Sequence, residues 1–313
     1  MIDLKPLKPQ LQGKPIAILG LGKSGLCTYR ACRAAGIDTV LWDDSPQAVA
    51  EAEQLGGVTG DLTRADFSRF SLLCLAPGIP LTHPKPHAVV VRALEAACDI
   101  VSDIELFHRA HPDIKTIGIT GTNGKSTTTA LVGHVLKVAG VESAVGGNIG
   151  DAALSLLQLS NKAIYVLELS SYQLDLCQKY VPDISVLINL SPDHLDRHGG
   201  MEGYVAAKER IFRRSGTAVI GIDDEWSRSV CKRVTEAGTR KVIPVSCEKK
   251  LASGVVVTKE GILLYDGREV LDLTLCHSLT GQHNWQNAAM AYAACLSCGI
   301  ETSKMIEGLK TFP

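Results

Sequence analysis

Short apolar runs alternate with longer alanine-rich stretches along most of this 313-residue sequence. The apolar runs are rich in β-branched residues and predict buried strands, whereas the stretches between them have helical spacing. Strands that alternate with helices favour an α/β fold built on parallel sheets with crossover helices. The predicted strands are Ile16–Leu19, Thr39–Trp42, Leu72–Leu75, Thr116–Ile119, Ile164–Leu167, Ser185–Asn189 and Ala218–Ile222.

Later segments indicate how the chain is divided. Val255–Thr258 and Ile262–Tyr265 flank a short turn and predict an appended β-hairpin, with which Val270–Thr274 could pair. A polar His111-Pro112-Asp113 precedes a new strand, so the domain boundary is predicted near residues 102–113. At about 100–200 residues per domain, the length favours two domains and allows a third.

Charge and cysteine content limit the classes of function. Lys and Arg total 32 against 33 Asp and Glu, and this balance argues against a nucleic-acid-binding protein. The chain has no long apolar stretch and no signal-peptide pattern, so we expect a cytoplasmic protein without membrane contact. The ten cysteines are scattered, and the one CxxC, Cys295 to Cys298, has no second pair for zinc, so we expect buried, reduced thiols.

The first of two glycine-rich loops is Gly20-Leu-Gly22-Lys-Ser-Gly25, which follows a predicted strand and opens a helix. Asp43 and Asp44 end the next strand. This arrangement is typical of a dinucleotide-binding fold, in which glycines let the backbone approach a pyrophosphate and an acid binds a ribose hydroxyl. An NAD-dependent dehydrogenase is therefore one candidate, and glycines that serve only packing are the other interpretation.

The second loop runs from Thr120 to Thr127 with the sequence TGTNGKST, between a predicted strand and a predicted helix. Backbone N–H groups at such a helix start can bind phosphates. Lys125 would reach the β- and γ-phosphates of a nucleotide, and the Ser126 hydroxyl would bind Mg²⁺. Ile119 replaces the first glycine of the full GxxxxGKS pattern, but the Gly-Lys-Ser core and its context indicate a phosphate-binding loop.

Polar residues follow two later strands. Glu168 ends one strand, and Asp193 and His194 follow the next. Ligands of open α/β sheets lie at the carboxyl ends of strands, and carboxylate oxygens suit Mg²⁺. The alternatives are a helix N-cap for Asp193 and an ordinary polar contact for His194.

Three further segments have plain structural explanations. Gly146–Gly150 reads as a flexible loop after a strand, and Lys208 as a solvated helix lysine. Asn284 could be the N-cap of an alanine-rich helix near Asn287–Ala294.

Taken together, the motifs TGTNGKST, GGNIG, LELSSYQL, SPDHLDRH, the AAK helix and SLTGQHNWQNAAMA resemble, in this order, the Mur ligases of peptidoglycan synthesis. The similarity covers essentially the whole chain. The forms GGNIG and LELSSYQL resemble the members that join D-glutamate to UDP-N-acetylmuramoyl-L-alanine. The resemblance implies an ATP-dependent ligase in which the substrate carboxylate attacks the γ-phosphate, and the D-glutamate amine then displaces phosphate from the acyl phosphate.

The resemblance also implies a domain organisation. Residues 1–103 would form a Rossmann-like domain that holds the UDP part of the substrate instead of NAD. Residues 104–309 would form a P-loop-type ATP-binding α/β domain with the small β-hairpin, and 310–313 would begin a linker to a third domain that carries the D-glutamate site. We therefore expect a truncated, monomeric chain that binds the UDP-linked substrate, binds ATP weakly and forms no amide product alone.

The residue roles that the resemblance implies fall into four sets. ATP would be bound by Thr122, Asn123, Gly124, Lys125, Ser126, Thr127, Asn284 and Asn287. The UDP-linked substrate would be bound by Lys23, Ser24, Asp43, Asp44, Gly78, Asn148, Ser170, Ser171 and His194. The catalytic residues would be Lys125, Glu168, His194 and Lys208. Two Mg²⁺ ions would be held by Ser126, Glu168, His194 and a carbamylated Lys208. A dehydrogenase and a nucleotide-gated binding module are the alternative functions.

Overall fold

The structure is a computed structural model that describes every residue from Met1 to Pro313. Its strands form two separate sheets, one of four strands and one of nine. The strands of the first sheet are β1 (Ile16–Leu19), β2 (Thr39–Trp42), β3 (Leu72–Leu75) and β4 (Asp99–Val101). Its helices are α1 (Lys23–Ala35), α2 (Pro46–Gln54), α3 (Ala88–Glu95) and α4 (Asp103–Ala110). All pairings are parallel, in the order β2-β1-β3-β4.

The second sheet occupies the remainder of the chain. Its strands are β5 (Lys115–Thr120), β6 (Ser143–Gly147), β7 (Ile164–Glu168), β8 (Ile184–Leu187), β9 (Gly216–Gly221), β10 (Arg240–Ser246), β11 (Val255–Val257), β12 (Ile262–Tyr265) and β13 (Arg268–Asp272). Its helices are α5 (Lys125–Val138), α6 (Ser171–Asp175), α7 (Leu195–His198), α8 (Met201–Glu209), α9 (Glu225–Ala237), α10 (Gln282–Ser297) and α11 (Thr302–Lys310). The strand order is β13-β12-β11-β10-β9-β8-β5-β7-β6.

The predicted α/β class is confirmed, and continuous apolar runs account for it. β1 and β3 are buried at every position, as expected of parallel strands covered on both faces by helices. β1, β2 and β3 have the predicted bounds. None of the helices is long and apolar enough to cross a lipid bilayer.

The sequence patterns do not predict β10 or β4. β10 carries Arg240 and Lys241 at its start and Pro244 inside it, and a proline in a run argues against a central strand. β4 has only three residues and begins with the exposed Asp99. The prediction of a flexible loop from Gly146 is also wrong at its start, because Gly146 and Gly147 complete β6 at the edge of the sheet.

The appended hairpin is confirmed, and so is the pairing expected of the segment that follows it. β11 and β12 are antiparallel, and β13 pairs with β12 as a third strand. β11 also pairs in parallel with β10, so this meander extends the main sheet and is not a separate unit.

The two sheets share one hydrophobic core. The largest cluster of buried side chains contains Ile18 and Leu41 of the first sheet together with Tyr165 and Leu187 of the second. A second cluster fills the other face of the nine-stranded sheet, under α5 and α10. Apolar burial on this scale holds the sheets against each other.

Glu105 of α4 is a polar anchor between the two sheets. Its side chain is fully buried and pairs with Arg109 Nε at 2.8 Å. Its carboxylate also accepts the backbone N–H groups of Gln178, Lys179 and Tyr180 at 3.0–3.1 Å. Burial alone would raise the pKa of Glu105, but the Tyr180 N–H and Arg109 outweigh it, so the pKa is lowered.

We expect Glu105→Gln to lower the free energy of unfolding by about 2 kcal/mol, because the amide turns a donor toward backbone N–H groups and loses the charge. Urea unfolding at pH 7 measures this. This difference in stability should shrink as pH falls below 4.5. The pKa of Glu105 is lowered in the folded chain, so the charged form stabilises the fold, and this contribution is lost as the carboxylate is protonated. Glu95→Gln, at an exposed position of α3, is the control and should leave stability unchanged. Equal stability of both variants would contradict the anchoring role.

Candidate functional site: a phosphate loop beside a buried carboxylate

The loop between β5 and α5 presents free backbone donors. The N–H groups of residues 124–127 have no hydrogen-bond partner, and the first bond of α5 is from Thr128 N–H to Gly124 O at 2.9 Å. Asn189 holds the loop from the side: its backbone oxygen accepts from Thr122 N–H at 3.0 Å and its side-chain oxygen from Asn123 N–H at 2.9 Å. Four consecutive free N–H groups at a helix start form a binding site for an anion.

Gly124 is required for this geometry. Its φ is +83°, and a Cβ there would lie 2.2 Å from Asn287 Oδ1 of α10. Asn287 therefore packs directly against the loop, and its Oδ1 also accepts from Thr128 Oγ1 at 3.3 Å. Only glycine combines the left-handed backbone with this close approach.

Lys125 lies over the same loop. Its Nζ donates to Gly121 O at 3.1 Å and to Thr122 O at 2.8 Å. The ammonium group is therefore held at the phosphate loop by two backbone carbonyls. An anion at the free N–H groups would lie beside a positive charge.

Glu168, at the end of β7, lies against the loop. The residue is 2 % exposed. Its Oε2 accepts from Ser126 Oγ at 2.8 Å, and its Oε1 accepts from Asn148 Nδ2 at 2.8 Å. No positively charged side chain lies within ion-pair distance of this carboxylate. A buried negative charge that is met only by neutral donors is unusual and suits a cation.

Lys208 contradicts the expectation of a solvated helix lysine. It is 2 % exposed, and its Nζ donates to Gly121 O at 2.9 Å and to Thr120 Oγ1 at 3.2 Å. Burial lowers the pKa of Lys208 to about 7, and the charge of Lys125 adds to the effect, while Asp193 and Glu168 oppose it. Near pH 7 much of this amine is therefore neutral.

His194 and Asp193 lie further out. The His194 side chain is 51 % exposed, and its Nε2 is 3.4 Å from Asp193 Oδ2. The N-cap interpretation of Asp193 is wrong, because His194 occupies the N-cap position of α7 and no side chain caps that helix. No group of three or more His, Cys, Asp or Glu side chains is arranged to hold a metal. The structure thus joins Ser126 to Glu168 but does not bring His194 into a ligand cluster.

A cleft of about 620 Å³ opens beside the phosphate loop. Its polar lining includes Asn123, Asn189, Asp223, Gln282, His283 and Gln286. The N-cap interpretation of Asn284 is wrong here too: α10 begins at Gln282 after Gly281, and Asn284 Nδ2 donates to Thr280 O at 3.0 Å. The sequence analysis missed Asp223 and Gln286. The only sequence signals for them are that Asp223 follows the strand β9 and that Gln286 lies one turn into α10.

The first glycine-rich loop is closed by its own chain. Asp43 Oδ2 accepts from Leu21 N–H at 2.7 Å, and Asp43 Oδ1 accepts from Ser45 N–H at 2.9 Å. A Cβ on Gly25 would lie 1.8 Å from Gly20 O, so that glycine serves the close packing of α1 on β1. Asp44 faces His87, with Oδ2 and Nε2 3.0 Å apart.

Side chains bridge the crevice between the sheets. Lys23 Nζ, at the start of α1, donates to Gly150 O, and Arg197 of α7 donates to Gly78 O at 3.0 Å. Ser170 and Ser171 face the protein: the first caps α6 with Gln173, and Ser171 Oγ lies 2.9 Å from His198 Nε2. All ten cysteines are free.

The largely parallel, helix-covered sheet and the glycine-rich loop at its carboxyl edge are typical of a nucleotide-binding α/β protein of the P-loop type. A family model described as the Mur ligase middle domain matches residues 119–295. The chain therefore belongs to the Mur ligase family, and the resemblance noted in its motifs is confirmed.

Similar proteins of known name indicate which members of the family the chain resembles. The chain is 48% identical to the UDP-N-acetylmuramoylalanine–D-glutamate ligase of Caulobacter sp. (strain K31), over 96% of this chain and 67% of the relative. It is 47% identical to the protein of that name from Brucella abortus (strain 2308), over 97% and 66% of the two chains. The chain thus spans about two thirds of the length of these relatives.

Solved structures share the fold. A UDP-N-acetylmuramate:L-alanyl-gamma-D-glutamyl-meso-diaminopimelate ligase from Neisseria meningitidis superposes with a TM-score of 0.62 at 20% identity, over 96% of this chain and 98% of that one. The UDP-N-acetylmuramate-alanine ligase of Thermotoga maritima gives a TM-score of 0.59 at 20% identity, over 96% and 68% of the chains. At this identity the likeness concerns the fold alone.

Proposed function

We propose that the chain binds ATP and UDP-N-acetylmuramoyl-L-alanine for the ligation of D-glutamate through an acyl phosphate, as a monomer in the cytoplasm. The observation that carries this is the pairing of four free loop N–H groups and Lys125 with the buried Ser126–Glu168 contact. The two named relatives support the choice of substrates. In this proposal residues 1–103 are the UDP-binding part and residues 104–309 the ATP-binding part.

The chemistry needs ATP because an amine cannot displace oxide from a carboxylate. The L-alanyl carboxylate of the substrate attacks the γ-phosphate of ATP and releases ADP, which leaves an acyl phosphate. The amine of D-glutamate then attacks the acyl carbon, and phosphate and a proton are released as the amide forms. Lys125 and the N–H groups of 124–127 stabilise the charge that spreads over the transferring phosphoryl oxygens. Thr122, Asn123, Thr127, Asn284 and Asn287 would complete the ATP site.

A magnesium ion fits the donors at the phosphate loop. Ser126 Oγ and Glu168 Oε2 are hard oxygen atoms 2.8 Å apart, and the Glu168 carboxylate has no cationic partner. When bound there, Mg²⁺ would neutralise phosphate oxygens. A second ion would need His194 and an anionic Lys208. The pKa of Lys208, about 7, makes the neutral amine available, and this is the form that adds CO₂ and releases a proton to become an anionic carbamate.

The UDP-linked substrate would occupy the crevice between the two sheets. Lys23, Ser24, Asp43, Asp44 and Gly78 lie on the side of the first sheet. The side of the second sheet would contribute Asn148, Ser170, Ser171 and His194. Asp43, Ser170 and Ser171 already form hydrogen bonds within the protein. To bind the substrate, they must either give up those hydrogen bonds or use lone pairs that the bonds leave free.

Calorimetric titration of the chain with MgATP, the UDP-linked substrate and NADH tests the proposal. We expect the first two to bind and NADH not to bind. Ser126→Ala should weaken MgATP about tenfold, because a metal ligand is lost, and should leave metal-free ATP unchanged. Ser229→Ala on α9 is the matched control and should bind both forms as the wild type does. Tight NADH binding without ATP binding would support the dehydrogenase instead.

A further inference from the structure

Arg197 connects the two sheets at the crevice. It lies on α7, between His194 and His198, and its Nη1 donates to Gly78 O at 3.0 Å. Gly78 lies in the loop after β3 of the first sheet. The bond therefore ties a loop of the first sheet to a helix of the second.

The guanidinium also contacts an aromatic ring. Its central carbon lies 4.8 Å from the centroid of the Tyr172 ring, a cation–π distance. Arg197 Nε is buried and has no hydrogen-bond partner. A permanently charged group with an unsatisfied buried donor carries a free-energy cost, which the bond to Gly78 O and the contact with Tyr172 offset.

The Tyr172 ring is itself fixed in place. It stacks on the His198 ring at 5.4 Å with an interplanar angle of 10°. His198 is buried, and its two nitrogens lie 2.9 Å from Ser171 Oγ and 3.3 Å from Asp175 Oδ2. Arg197 therefore projects from a rigid base toward the first sheet.

The same base reaches the phosphate loop. The His198 ring lies 5.5 Å from the Tyr204 ring, and Tyr204 OH lies 3.1 Å from Thr122 Oγ1. Tyr204 is 1 % exposed, so this connection is fully packed. One continuous set of contacts thus runs from Thr122 to Gly78.

We propose that Arg197 is a positioning residue that sets the loop carrying Gly78 at a fixed distance from the phosphate loop. The inference rests on the proposed function, in which one substrate has its UDP moiety on the first sheet and its carboxylate at the phosphate loop. Such a substrate must span both parts, so its affinity depends on their register. UDP alone contacts only the first sheet and does not sense the register.

The test measures binding of UDP-N-acetylmuramoyl-L-alanine and of UDP to wild type, Arg197→Ala and Arg197→Lys by calorimetry. Arg197→Ala should weaken the whole substrate about tenfold, because a charged hydrogen bond across the sheets is lost, and leave UDP within about twofold. Arg197→Lys should recover most of the affinity, since an ammonium can still donate to Gly78 O. Thermal unfolding checks that each variant is folded. If Arg197→Ala does not fold, the comparison of Arg197→Lys with wild type still tests the inference.

Arg92→Ala is the matched control. Arg92 also donates to a backbone carbonyl, Ala65 O at 3.0 and 3.2 Å, but both partners belong to the first sheet. It should bind both ligands as the wild type does. Unchanged binding of the whole substrate by Arg197→Ala, or an equal loss for UDP, would overturn the inference while leaving the proposed function intact. Failure of the wild-type chain to bind the UDP-linked substrate would overturn the proposed function and the inference with it.

Discussion

Replacing Lys125 by Met should weaken ATP binding about 100-fold. The ammonium group lies 2.8 Å from Thr122 O, at the edge of four free N–H groups, and a charged donor to phosphate is worth roughly 1.5–3 kcal/mol. The free N–H groups still attract an anion without this charge, but less strongly. Calorimetric titration with MgATP measures the loss directly.

Weaker ATP binding by Lys125→Met could come from a disturbed loop or from the lost contact with ATP, and two controls distinguish these causes. Lys125 also holds Gly121 O and Thr122 O, so thermal unfolding of the variant must accompany the titration. Lys137→Met removes an exposed lysine from the last turn of the same helix and should bind ATP as the wild type does. ATP affinity within threefold of wild type for a folded Lys125→Met would remove Lys125 from the nucleotide site.

Much of the fold could be predicted because its signals are local. β1 and β3 read as strands since every residue is apolar and lies in a two-sided core. β10 could not be read this way, because its Pro244 and charged first residues hide a strand that β9 and β11 hold on both sides. Tertiary pairing, not local propensity, decides that segment.

The strand, loop and helix around TGTNGKST were predictable for the same reason, since such a turn is a short, contiguous pattern. The meeting of Ser126 with Glu168 was expected only from the family resemblance; in the structure it follows from the pairing of β5 with β7, since adjacent parallel strands end at one edge. The amide of Asn148 on Glu168, by contrast, depends on the backbone at the end of the edge strand β6, where Asn148 N–H still donates to Glu168 O at 2.9 Å. No local pattern carries that information.

Long-range contacts explain the remaining misses. Lys208 reads as a solvated lysine by its neighbours in sequence, and only the packing of α8 under the phosphate loop makes it 2 % exposed. Arg197 lies within the SPDHLDRH motif, but nothing in the sequence indicates that Gly78 of the other sheet lies next to it. Both residues act at places where two distant segments meet.

The burial of Lys208 predicts a pH-dependent stability. Its pKa is lowered from 10.5 to about 7 in the folded chain, so between those values the unfolded chain binds more protons. Stability from this group therefore rises with pH across that window and is constant below it, where both states are charged. Lys208→Met removes the group and with it this slope.

We expect the stability of Lys208→Met relative to wild type to fall by about 3 kcal/mol between pH 6.5 and pH 9.5. At the lower pH the wild type holds a buried charge, and the variant does not. At the higher pH the wild-type amine is neutral, and its bonds to Thr120 Oγ1 and Gly121 O persist without that penalty. Urea unfolding in CO₂-depleted buffer measures both proteins, with the exposed Lys137→Met as control. Parallel stability curves for wild type and Lys208→Met would show that Lys208 stays charged when buried, and would leave no neutral amine for carbamate formation at pH 7.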